Sequence, residues 1–97
     1  MEILKELNGN CLVLKLVGRL NSMTAPLFEE EIKAVDGVEK LVLDLEELDY
    51  ISSAGLRVLL VAEKKMMAVG ELVLINVQDA VREVLDITGF SSMLTIN

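Results

Sequence analysis

Two adjacent hydroxyls, Ser52 and Ser53, hold the most suggestive chemistry in the chain. An acidic run of Asp44, Glu46, Glu47 and Asp49 precedes them, and Ala54-Gly55-Leu56 opens a stretch with helical periodicity after them. A serine at the mouth of a helix can do either of two things. Its oxygen can cap a free backbone N–H, or it can carry a phosphate that meets those N–H groups and the positive end of the helix dipole. On spacing alone the plain cap, worth about 1 kcal/mol, is the first account of the pair. Gly55 argues for the second account. A glycine just inside a helix costs roughly 1 kcal/mol relative to alanine, so its presence points to a close approach of something to that backbone. Ser53 is then an addressable hydroxyl on a switchable docking surface.

Other chemistries find less support. The chain has no histidine to activate a nucleophile, and its lone Cys11 falls inside a strand pattern, where a small buried side chain is the simpler account. The acidic run lacks the rigid geometry a hard cation needs and reads as a solvated connector, so no metal is assigned. Neither a GxxxxGK nor a GxGxxG phosphate-binding pattern is present. No cofactor is expected, and the chain reads as the substrate of another enzyme with no catalytic activity of its own. Arg57, in the first turns of the helix, could meet a partner's carboxylate or simply solubilise the surface. Met66-Met67-Ala68-Val69 offers more apolar surface than one helix face usually buries. Core packing accounts for it most simply, with a patch for partner binding or weak self-association as the alternative.

The elements that position the serines follow from periodicity. Ile3 to Leu7 and Cys11 to Val17 read as strands joined at Asn8-Gly9, a pair suited to a type I′ turn. Gly18 to Met23 reads as a loop, and Thr24 caps a helix with Pro26 in its first turn and Phe28, Ile32 and Val35 inward. Asp36-Gly37 ends that helix. Lys40 to Leu45 is a nearly continuous apolar strand, of the kind buried on both faces of a parallel sheet. Glu46 to Ser53 reads as a loop, and from Ala54 a helix runs with Leu56, Leu59, Leu60 and Met67 inward and Gly70 as its C-terminal cap. Leu72 to Val77 is a strand, Asp79 to Thr88 a helix with Val81, Val84 and Leu85 inward, and Met93 to Ile96 a short last strand. The expected architecture is a single α/β domain over residues 1–97, with an N-terminal β-hairpin leading into a mostly parallel mixed sheet of about five strands packed with three to four helices. The loops following its parallel strands, Gly18 to Thr24 and Glu46 to Ser53, share the end of the sheet where partners bind, so Asn21 and Ser53 are expected as neighbours.

Composition bounds the partners. Ninety-seven residues bury roughly 60–70% of the surface an extended chain exposes, enough for one core without disulfide or metal. A single cysteine and no signal-peptide pattern fit a reducing cytoplasm. Hydrophobic residues make up 53% of the chain but occur in runs far shorter than the ~20 residues a membrane-spanning helix needs. A net charge of −7, with nine basic and sixteen acidic residues, argues against a nucleic-acid partner.

The segment Leu41 to Leu60 resembles the signature of the STAS-domain anti-sigma-factor antagonists, an apolar strand and short loop followed by Ser52-Ser53-Ala54-Gly55-Leu56 at a helix start. Gly18-Arg19-Leu20-Asn21 with Thr24-Ala25, and Val84-Leu85 with Gly89-Phe90, extend the resemblance over nearly the whole chain. The resemblance implies partner switching. The unphosphorylated antagonist binds an anti-sigma factor that is itself a serine kinase, phosphorylation of Ser53 ends the binding, and a serine phosphatase restores it. It also implies a partner surface of Asn21, Ser22, Thr24, Ser52, Ser53, Ala54, Gly55 and Arg57 on a monomer or weak dimer. Ser52 and Asn21 stand where the family commonly has aspartates, which removes charge that would oppose a phosphate and also groups that would orient the hydroxyl. The alternative is a STAS adaptor in a transporter or other signalling complex that keeps its interface without phosphorylation.

Overall fold

A computed structural model describes residues 1–97. It contains β1 (Glu2–Asn8), β2 (Cys11–Leu20), α1 (Ala25–Ala34), β3 (Lys40–Ile51), α2 (Ser53–Met67), β4 (Glu71–Ile75), α3 (Asp79–Thr88), a 3-10 turn at Phe90–Ser92, and β5 (Thr95–Ile96). The strands form one sheet in the order β1-β2-β3-β4-β5, antiparallel only between β1 and β2. Gly9, at a φ of 61°, closes the hairpin as Asn-Gly requires. Three helices and five strands fall within the expected architecture.

Each parallel strand is added on the same side of the previous one. Right-handed crossovers then place all three helices on one face of the sheet. The core agrees: Leu14, Leu16, Leu41, Leu43, Leu72 and Leu74, alternate residues of β2, β3 and β4, form one cluster with Phe28 and Ile32 of α1, Leu59 and Met66 of α2, and Val81 and Leu85 of α3. The opposite sheet face carries a row in which Val13, Val42, Val73 and Thr95 sit side by side. Val42 and Val73 are buried there, outside the helix-side cluster.

Strands β2 and β3 continue further than sequence periodicity predicts, through Leu20 and Ile51, so the two predicted loops shrink to residues 21–24 and to Ser52. Two bulges hide the continuation. Pairing jumps from Lys15 opposite Asp44 to Val17 opposite Glu47, and from Gly18 opposite Leu48 to Arg19 opposite Tyr50. Each inserts an extra residue into β3, and the buried positions shift from Leu41, Leu43 and Leu45 to Leu48 and Ile51. The acidic residues belong to this strand, and Asp44, Glu46 and Glu47 make bonds within it or to β2. Asp44 Oδ1 accepts the Glu46 N–H at 3.1 Å, and Lys15 pairs with Glu47 at 2.9 Å and Glu46 at 3.5 Å. Hydrogen bonding to Glu47 raises the Lys15 pKa above its ordinary value, against the opposing effect of desolvation.

In α2 the inward stripe is Leu56, Val58, Leu59, Ala62 and Met66, whereas Met67 points outward and is 71% exposed. Gly70 is not the residue that ends the helix by a left-handed turn. Its N–H bonds the Met66 carbonyl at 2.7 Å, and a side chain there would run into the backbone carbonyl of Glu39. The left-handed C-cap belongs instead to Gly89, which ends α3 at a φ of 83°.

Candidate functional site

The end of the sheet where β2 and β3 stop is built by short-range bonds. Asn21 Oδ1 accepts the N–H groups of Met23 at 2.9 Å and Thr24 at 3.1 Å, and the Asn21 carbonyl accepts the Ala25 N–H at 2.8 Å. Thr24 holds the N-cap position of α1, but its hydroxyl makes no capping bond. It donates to the Arg19 carbonyl at 2.7 Å and accepts the Asn21 N–H at 2.9 Å. Asparagine thus does the turn-forming work expected of threonine, and an aspartate at position 21 would offer the same acceptor. Of this loop, Ser22 and Met23 face solvent, Met23 at 84% exposure.

Strand end and helix start are joined directly. The Ser52 N–H donates to the Leu20 carbonyl at 2.9 Å, bringing the residues after Leu20 beside those before Ser53. Asn21 and Ser53 therefore lie at one edge, as their shared end of the sheet implies. Gly55 packs inward at this junction. A Cβ on it would come within 2.7 Å of Leu20 Cγ and 2.9 Å of Ile51 Cγ1. The close approach that requires glycine is made by the domain's own core, a correction to its reading as contact space for a partner.

The two serines differ sharply. Ser52 is the N-cap residue of α2, yet its hydroxyl makes no capping bond, and its Oγ is buried with no hydrogen-bond partner. The plain-cap account therefore fails at Ser52. Ser53 is the first helical residue and is exposed. The first bond into α2 runs from the Leu56 N–H to the Ser52 carbonyl at 3.0 Å, leaving the N–H groups of Ser53, Ala54 and Gly55 without helical acceptors. An exposed hydroxyl thus stands beside three free donors and the positive end of a helix of 15 residues.

Arg57 is engaged within the domain. It binds Glu29 of α1 at 2.9 Å, and this bond holds the Glu29 carboxyl below its ordinary pKa, with desolvation opposing. Two residues that no sequence spacing connects also meet at this edge. The Arg19 guanidinium lies 4.3 Å from the centre of the Tyr50 ring, and both residues are exposed immediately before Leu20 and Ile51. Only their cross-strand pairing brings them together, and the bulge at Asp49 sets that pairing. No cavity opens at Ser53; the molecule's one cavity lies elsewhere, against the C-terminal ends of α1 and α2. No helix is long and apolar enough to cross a membrane.

Comparison with known proteins gives a consistent picture. The sequence profile of the STAS domain matches residues 2–97. The chain is 49% identical over 88 residues to a candidate anti-sigma factor antagonist of Bordetella bronchiseptica, BtrV, covering 88% of this chain and 76% of that one. It is 31% identical over 96 residues to the anti-sigma-B factor antagonist of Listeria monocytogenes, covering 96% and 84%. Among solved structures, an anti-sigma factor antagonist from Mycobacterium paratuberculosis superposes with a TM-score of 0.90 at 26% identity, over 98% of this chain and 83% of that one. The unphosphorylated anti-sigma factor antagonist SpoIIAA superposes with a TM-score of 0.85 at 21% identity, over 99% and 88%, and so attests the fold.

Proposed function

Since the chain belongs to the STAS-domain family and stands among its anti-sigma-factor antagonists, we propose that it acts by partner switching controlled at Ser53. The unphosphorylated domain binds an anti-sigma factor that is also a serine kinase and so frees a sigma factor. Transfer of a phosphoryl group to Ser53 ends that binding, and a serine phosphatase restores it. In this reading the chain is a kinase substrate in the cytoplasm and no enzyme itself.

One observation carries the reading: Ser53 is exposed at the first position of α2, beside unpaired N–H groups, while the hydroxyl oxygen of its neighbour Ser52 is buried. A phosphate on Ser53 adds about −1.5 to −2 charge where the helix dipole favours an anion, so the domain keeps its fold and the partner meets the bulk and repulsion. Weakening a complex from micromolar to millimolar takes about 4 kcal/mol, within reach of one desolvated phosphate in a packed interface. The absence of both a cavity at Ser53 and a histidine in the chain favours a protein partner over a small substrate.

The test is to incubate the protein with ATP, magnesium and the candidate anti-sigma kinase of the same genome, and to follow mass and binding. One phosphate on Ser53, absent from Ser53→Ala, with loss of kinase binding by Ser53→Glu, is the expected result. A stable complex without phosphate, equally tight for Ser53→Glu, would instead identify a constitutive adaptor.

A further inference from the structure

All but two of the lysines and arginines have an acceptor within the domain. Arg57 and Arg82 bind Glu29 and Asp86, Lys5, Lys15, Lys33 and Lys40 also pair with carboxylates, and Lys65 donates to the Ile32 and Lys33 carbonyls. Lys64 and Arg19 are left over. Lys64 is exposed in the C-terminal half of α2, about 16 Å along the helix from Ser53. Arg19 stands at the Ser53 edge, its guanidinium 4.3 Å from the centre of the Tyr50 ring. The stack fixes where the guanidinium sits and leaves its fork of N–H donors without an anionic partner. Leu20 and Ile51 point into the core, so Arg19 and Tyr50, one residue earlier in each strand, point to the sheet face free of helices. The backbone from Tyr50 to Ser53 spans at most about 11 Å.

On the partner-switching reading of Ser53, we propose that Arg19, held over Tyr50, receives a carboxylate of the kinase that docks there and so decides which partners fit. A protein interface takes about 800 Å² from each side, a patch wider than the step from Ser53 to Tyr50, so a partner seated over Ser53 also covers the stack. A guanidinium stripped of water without an anion is costly, whereas its planar fork matches the two oxygens of a carboxylate. Tyr50 holds that fork in place before the partner arrives, which lowers the cost of ordering it. Arginine and tyrosine are also the side chains that most often anchor interfaces. The chain carries a net charge of −7, so its long-range field draws basic partners. A demand for one acid at a fixed point then rejects those basic surfaces that lack it.

The candidate anti-sigma kinase of the same genome is the probe, titrated by calorimetry against the unphosphorylated wild type, Arg19→Ala, Arg19→Lys, Tyr50→Phe and Lys64→Ala. Arg19→Ala should weaken binding about ten- to hundredfold with Tm unchanged. Arg19→Lys should recover only part of that loss, because a point charge replaces the fork. Tyr50→Phe keeps the ring and should bind within about twofold of wild type. Lys64→Ala makes the same change in net charge away from the edge and should bind as wild type does. Binding of Arg19→Ala within about twofold of wild type, or an equal loss in Lys64→Ala, would overturn the assignment and leave switching at Ser53 intact. Failure of the wild type itself to bind would overturn the partner-switching reading, and the role of Arg19 with it.

Discussion

Ser52 and Ser53 are consecutive hydroxyls with opposite fates, and substitution separates them. A buried hydroxyl without a partner costs roughly 1–3 kcal/mol, so Ser52→Ala should raise stability by about 1 kcal/mol, a shift of several degrees in Tm. A loss of similar size would mean that the hydroxyl caps α2 in solution. Arg57→Ala should destabilise the domain at neutral pH by removing the bond to Glu29. Because the folded-state pKa of Glu29 is depressed, the pair's contribution is present above the unfolded value near 4.5 and is lost as pH falls through the lower folded one. Urea unfolding of both proteins should therefore give a stability difference that shrinks towards zero in acid. A difference independent of pH would assign the effect to packing of the arginine stem.

At the scale of elements, the start of α2 is set by how closely it sits on β2 and β3. Gly55→Ala gains roughly 1 kcal/mol of helix propensity but forces a methyl into Leu20 and Ile51, an overpacking worth about 1–3 kcal/mol. The net expectation is a loss of up to about 2 kcal/mol, read from the urea midpoint; a gain would show that Leu20 moves aside freely. Most elements are legible in sequence. The Asn8-Gly9 hairpin, the inward faces of α1 and α3, and the apolar run of β3 all obey one period. The ends of β2 and β3 do not, because two bulges replace alternation with a spacing of three between Leu45, Leu48 and Ile51, which mimics a polar connector. The site is legible in part for a related reason. Glycine and serine spacing marks the helix start, but only tertiary packing shows that Gly55 answers to Leu20, that Thr24 is turned into its own loop, and that Arg19 lies over Tyr50.

Across the whole molecule, one helical layer on one sheet face makes α2 the link between both ends, its first residue at the Ser53 edge and its last turn at the cavity. A negative charge at position 53 acts on an exposed helix N-terminus and leaves the core untouched. Ser53→Asp should therefore keep the circular dichroism spectrum and hold or raise Tm by a few degrees, the dipole contribution being about 0.3–1 kcal/mol. A fall in Tm of ten degrees or more would indicate that switching works by local unfolding.

The bulges of β3 carry a further consequence. Between Leu45 and Ile51 the strand works as a spacer counted in residues, with side-chain direction as its reading frame. Exchanging Glu46, Glu47 or Asp49 for other polar residues leaves that frame intact. Deleting any one of them removes a bulge and its local bend, so Leu48 and Ile51 keep their inward face while Ser53 is carried to a different bearing: the segment's length, more than its spelling, sets where the site points.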